Sequence, residues 1–132
     1  MIGRLDHVNL RTARLDEMTR WYGEVLGLRS GWRPPSFGFP GAWLYAGEDA
    51  LVHLVGVEVT APPHPDAQLE HAAFSATGLT AFLEKLEARG ERHRLSALPD
   101  AGLVQVNVWD PDGNHLHIDF PYAEAEAGGH LG

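Results

Sequence analysis

The sequence predicts an α+β fold of two repeated β-α-β-β-β modules, and three observations carry that prediction. Several short stretches alternate apolar and polar residues singly, as half-buried strands do. Two longer stretches space their apolar residues at three and four, as helices do. Distinctive residues also recur at one offset: His7 and His71, His53 and His117, Leu15 and Leu79, Met18 and Phe82, and Tyr22 and Leu86 are each 64 positions apart. Two copies at so long a period are too few for a solenoid and point to a duplicated unit. Its two sheets are expected to form an open cup around a shared cavity.

Each element has a local reason. Arg4 to Leu10 alternates as a strand, and Leu15, Met18, Tyr22, Val25 and Leu26 then follow at helical spacing. Asp16 and Glu17 fall in the first helical turn, where the helix dipole favours acids, and Gly27 supplies the stop. Strands are expected around Leu28 to Arg33, Ala42 to Ala46 and Ala50 to Val57, separated by PPSFGFPG and by the turn-like GED. After the polar connection EVTAPPHPDAQ the order repeats. It runs strand Leu69 to Ala76, helix Leu79 to Arg89 ending at Gly90, and strands near Arg92 to Ala97, Leu103 to Trp109 and Asn114 to Phe120. A Asp-Pro-Asp-Gly turn joins the last two. The expected organisation is one domain over 1–132, with module 1 at about 4–57, a linker at 58–68, module 2 at about 69–121 and a tail at 122–132.

Composition narrows the function. The chain has 132 residues, 44% of them hydrophobic, enough for a proper core. A formal charge of −8, with no cluster of Lys and Arg, argues against nucleic acid as a partner. The absence of Cys removes disulfides and thiolate chemistry, and no stretch is long and apolar enough for a signal or a membrane span. A cytoplasmic location and no membrane partner are the expectation.

Histidine carries the chemistry. In HLHID, His115, His117 and Asp119 share one face of a strand, while Leu116, Ile118 and Phe120 share the other. One imidazole on an apolar strand is usually a satisfied packing residue; four at matched offsets are better explained by a site. His7, His53, His71 and His117 are therefore the candidate metal ligands, a nitrogen set suited to Zn, Ni, Cu or Fe(II) rather than Mg or Ca. His64, His93 and His130 fall in linker, helix-end or tail context. His115 is read as a rim residue or substrate contact. Asn9 and Asn107 are read as orienting a ligand, contacting substrate or simply packing. Trp32, Phe37, Phe39, Trp43 and Tyr45 offer apolar walls, with PPSFGFPG as a lid or as a surface loop packing its own aromatics.

Four stretches, DHVNLRTARLDEMTRWYGEVLGL, EDALVHLV, EHAAFSATGLTAFLEKLEARG and VNVWDPDGNHLHIDF, resemble the successive signatures of the vicinal oxygen chelate superfamily. That superfamily includes glyoxalase I, extradiol ring-cleaving dioxygenases, methylmalonyl-CoA epimerase, and fosfomycin and bleomycin resistance proteins. The resemblance covers about residues 4 to 121. It implies paired modules around one divalent transition-metal ion (Zn, Ni, Fe(II) or Mn), often completed between two chains of a dimer. The family's metal positions fall on His7, His53, His71 and His117. Where this chain has His117 the family usually has Glu, a ligand that in glyoxalase I also takes part in proton transfer. Asp119 is two residues along, roughly 6.5 Å. It is expected as a general base, as support for a ligand, or as a solvated residue at the sheet end.

Neutral imidazole ligands leave a divalent ion its full formal charge, which favours an anionic or readily ionised bidentate oxygen ligand. The expected function is a metal-dependent enzyme that chelates a small oxygenated substrate through vicinal oxygens, of glyoxalase-like lyase or isomerase type or of extradiol-dioxygenase type. The alternative is a metal-free small-molecule binding or resistance protein of the bleomycin-resistance kind. Exposed edge strands predict a symmetric homodimer.

Overall fold

Two stretches of the chain fold through the same series of elements in the same order. The computed structural model describes residues 1–64 and 66–131. Pro65, in the expected linker, and Gly132, in the expected tail, lie outside the described residues.

The first unit, Met1–Pro63, contains β1 (Val8–Thr12), α1 (Leu15–Glu24), β2 (Arg29–Gly31), β3 (Gly41–Ala46) and β4 (Asp49–Gly56). Its open sheet has the order β1-β4-β3-β2, with β1 parallel to β4 and the other pairs antiparallel. The second unit, His64–Gly132, contains β5 (Ala72–Ser75), α2 (Leu79–Arg89), β6 (His93–Leu98), a 3₁₀ turn (Pro99–Ala101), β7 (Leu103–Trp109), β8 (His115–Pro121) and α3 (Tyr122–Ala127). Its order, β5-β8-β7-β6, repeats the first, including the single parallel pair. The duplication holds at the level of register. Asn9 and Trp43 flank His53 in the first sheet, and Ala73 and Asn107, each 64 positions later, flank His117 in the second.

One face of each sheet is core. In the first unit α1 packs on β3 and β4 and buries Met18, Trp21, Tyr22 and Val25, while Leu44, Val52 and Leu54 are buried on the sheet. In the second, Leu79, Phe82 and Leu86 of α2 are buried, with Phe82 and Phe120 ring centroids 5.4 Å apart. Truncating a fully buried leucine such as Leu54 or Leu86 to Ala removes about 2–5 kcal/mol. α2 ends on Gly90 in the left-handed region at φ 68°, where a side chain would be strained, whereas α1 closes at Val25 in the right-handed region and the chain turns two residues later at Gly27, φ 73°.

Three expectations change. The first and fifth strands begin later than read, so His7 and His71 each lie one residue before a strand rather than on it. Leu5 misled the pattern: it alternates like a strand residue but is 80% exposed and buries nothing. His93 is not at a helix end; it opens β6, with its Nδ1 hydrogen-bonded to Glu91 O at 2.8 Å. Residues 122–132 begin with α3, and Glu124 Oε1 accepts hydrogen bonds from Gly78 N at 2.8 Å and Leu79 N at 2.9 Å. A carboxylate brought from 45 residues away thus caps α2, whose own N-cap is a glycine without a side chain. No helix among the described residues is long and apolar enough to cross a membrane.

Candidate metal centre

Each unit brings its own pair of histidines together. In the first, the His7 and His53 rings stack with centroids 3.7 Å apart and planes at 11°. His53 stacks on its other side against Trp43 at 4.0 Å and 12°, so three rings form one continuous pile. Burial, and then the neighbouring His7, push the His53 imidazole below its ordinary pKa. That favours the neutral ring, the form a metal takes. His7 Nδ1 is hydrogen-bonded to Asp6 Oδ1 at 2.7 Å, and that bond holds the Asp6 carboxyl below its usual range.

An open groove of about 510 Å³ runs along this pair, lined among others by Arg4, Asp6, Trp32 and Tyr45. Arg4 is paired with Asp49 at 3.7 Å. Tyr45 donates its hydroxyl to Trp32 O at 2.6 Å, and Trp32 meets Trp43 edge-on at 5.9 Å. Asn9 is exposed beside His53. In the PPSFGFPG segment Phe37 and Phe39 stack at 5.2 Å, and Arg33 sits over both rings. Phe37 also meets Trp43 edge-on at 6.2 Å, so the segment packs its own aromatics and reaches one ring of the His53 pile.

The second pair is built with hydrogen bonds. The His71 and His117 rings are 4.3 Å apart and tilted at 44°. His117 is buried, and its Nδ1 is bonded to Asp119 Oδ1 at 2.6 Å, two positions along the same strand face. His71 Nδ1 is bonded to Glu70 Oε2 at 2.5 Å. The other Glu70 oxygen lies 2.8 Å from His115 Nδ1, and His115 Nε2 lies 2.8 Å from Asn107 Oδ1, two acceptors for which a neutral ring has a single N–H. Asn107 is itself buried, with its Nδ2 donating to Arg94 O at 3.2 Å and Ser96 Oγ at 3.4 Å. Hydrogen bonds from His71 and then His115 lower the Glu70 pKa.

The donor set fits a transition metal. Three of the four candidate ligands, His7, His71 and His117, have Nδ1 held by a carboxylate, which fixes ring orientation and leaves Nε2 as the ligating nitrogen. Glu70, His71 and His115 also each bring a donor atom within 4.8 Å of the others, the one group of three among the described residues. Sequence reasoning missed Asp6 and Glu70. The signal was present, since both precede a candidate ligand and are 64 positions apart. These carboxylates also qualify the expected charge of the site: the direct ligands are neutral, but negative groups stand close behind three of them.

Comparison with known proteins agrees with this architecture. The chain is 29% identical over 126 residues to Glyoxylase I 4 of Arabidopsis thaliana, covering 86% of this chain and 68% of that one. A glyoxylase/bleomycin resistance protein/dioxygenase domain from Frankia sp. EAN1pec superposes with a TM-score of 0.77 at 21% identity, covering 92% of this chain and 93% of that one. A glyoxalase family protein from Bacillus anthracis gives 0.76 at 23% identity, over 92% and 97% of the two chains. The model of the Glyoxalase/Bleomycin resistance protein/Dioxygenase superfamily matches residues 4–118, nearly the whole of both modules, and the chain belongs to that superfamily.

Proposed function

We propose that this chain is a metal-dependent enzyme that chelates a small substrate through two vicinal oxygens, with His7, His53, His71 and His117 as the metal ligands. The observation that carries the reading is the carboxylate on Nδ1 of three of these histidines, at 2.5–2.7 Å. Packing alone gives no reason to orient imidazoles in this way. A divalent ion (Zn, Ni, Fe(II) or Mn) would supply Lewis acidity to the two oxygens. Asp119 acts by orienting His117, since one of its oxygens is already taken by that ring. Trp43 and Trp32 wall the substrate in the groove. The reaction is of glyoxalase-like lyase or isomerase type, in keeping with the Arabidopsis relative, with ring-cleaving oxygenation as its rival. The enzyme works as a homodimer, because each open sheet leaves edge strands to be covered.

The test is metal analysis of protein purified without a histidine tag. About one transition-metal ion per chain is expected, with binding falling as pH drops through the imidazole range near roughly 6.5. His7→Ala and His71→Ala should each lose the ion, and unchanged binding in both would remove the proposed site. Oxygen uptake with a catecholic substrate separates oxygenation from lyase chemistry, and sedimentation as a monomer at micromolar concentration would remove the dimer. A second reading, a metal-free binder, is favoured by the continuous His7, His53 and Trp43 pile, which offers a planar ligand ring contacts without an ion. Protein that retains no metal while binding a planar ligand would establish it.

A further inference from the structure

Trp32, Trp43 and Tyr45 all line the groove of about 510 Å³ beside His7 and His53. The matching positions of the second module hold Ser96, Asn107 and Trp109, so the wall belongs to the first module. Trp43 is already committed: His53 stacks on it at 4.0 Å, and Trp32 and Phe37 meet it edge-on at 5.9 and 6.2 Å. Trp32 is 67% exposed, yet the chain holds it in place. The Tyr45 hydroxyl donates to Trp32 O at 2.6 Å, and the Tyr45 ring has room there because residue 31 is glycine, where a Cβ would lie 2.9 Å from two of its carbons. β3 also slips register against β4 between Leu44 and Tyr45, an irregularity of the kind that re-aims a side chain beside a site. An indole facing water gains little burial from this support. A ring laid against it would gain, and the groove is of the size of small-ligand clefts, roughly 300–1,000 Å³. The planes of Trp32 and Trp43 cross at 82°. A flat ring stacked on one therefore stands nearly perpendicular to the other, and aromatic pairs favour both arrangements. Among the charged groups of the groove, Arg4 and Asp49 pair with each other at 3.7 Å, and Asp6 is bonded to His7 at 2.7 Å.

We infer that this groove takes an aryl group borne next to the chelating oxygens of the substrate, and that Trp32 is the residue that selects it. The inference rests on the proposed chelating function for where the oxygens sit, but not for the ring site itself.

The experiment is calorimetric titration of the Zn(II)-loaded and the metal-free chain with three α-hydroxy acids that share one chelating head. Mandelate carries a phenyl group, hexahydromandelate a cyclohexyl group of similar bulk without a π face, and lactate a methyl group. The loaded wild type should bind mandelate at least about tenfold more tightly than lactate, since each buried methylene alone is worth about fourfold. Mandelate should also exceed hexahydromandelate by about 2–10-fold, the worth of a ring pair beyond its area. Trp32→Leu, which keeps apolar bulk at an exposed position, should bring the ratio of mandelate to hexahydromandelate close to one, and Trp32→Phe should restore most of it. Equal binding of mandelate and hexahydromandelate by the wild type overturns the inference, as does absence of mandelate binding in both forms. An unchanged ratio in Trp32→Leu overturns the role of Trp32. If that variant changes sedimentation and leaves the ratio intact, Trp32 faces a second copy of the chain and the inference is wrong. If the metal-free chain binds mandelate as tightly as the loaded one, the proposed chelating function fails, while the ratio of mandelate to hexahydromandelate still decides what the groove takes.

Discussion

In the first module His53 lies between two ring faces, His7 at 3.7 Å and Trp43 at 4.0 Å, whereas its counterpart His117 gives its Nδ1 to Asp119 at 2.6 Å. The two histidines are flanked by equivalent positions in their ladders, although the first sheet slips register between Leu44 and Tyr45 where the second stays regular. The substitutions between modules account for the contrast. Trp43 becomes Asn107, Leu51 becomes His115 and Val55 becomes Asp119, so an apolar, stacked environment is replaced by a hydrogen-bonded one. Stacking holds a ring in its plane but leaves rotation about the stacking axis soft. A carboxylate on Nδ1 fixes tautomer and direction together. One copy of the duplicated sheet thus supplies a firmly oriented pair, and the other a pair beside an aromatic groove.

Removing ligands should give the largest and least equal effects. His71→Ala and His117→Ala should each lower metal affinity by more than about 100-fold, the upper end of what supporting residues alone are worth. They should exceed His7→Ala and His53→Ala, and equal losses at all four positions would break the comparison. Next in size, Asp119→Asn should cost about 10–100-fold in metal affinity by freeing His117, with the His53 ring unmoved in NMR spectra. Trp43→Ala should cost about 0.5–1.5 kcal/mol of stability through the lost ring contact. It should also raise the His53 pKa toward the ordinary 6.5, because burial is the main cause of its depression. A histidine titration by NMR reads this directly.

The smallest effect concerns pH. Asp6 and Glu70 both have lowered pKa values, from ordinary values of 3.8 and 4.5. Their folded forms therefore bind fewer protons than the unfolded chain there, and stability present above those values is lost as pH falls through the lowered ones. His53 has the same sign: its contribution is whole above 6.5 and declines as pH falls below it. Denaturation midpoints of the metal-free protein should decline slightly below pH 6.5 and again in the carboxylate range. Glu70→Gln should flatten the acid step more than Asp6→Asn, since Glu70 has two histidine partners and Asp6 has one.

The alternation, the helical spacing and the 64-residue offset are properties of neighbouring positions and of a copied pattern, so a linear reading recovers them. They determined the α+β class, the repeat and the helix of each module, down to the limits of α2 and β7. The face shared by His115, His117 and Asp119 was legible for the same reason, because a strand's period is two. Strand starts at Val8 and Ala72 were not, since an alternating residue such as Leu5 counts as strand only if a partner or core meets it. The tertiary structure alone decided which atoms hold each histidine. Glu70 and His115 are 45 residues apart, Asn107 and His115 stand diagonally across two strands, and Glu124 reaches α2 from the far end of its module. Such bonds depend on rotamers and on the neighbours a sheet happens to place within about 3 Å, and no local periodicity encodes them.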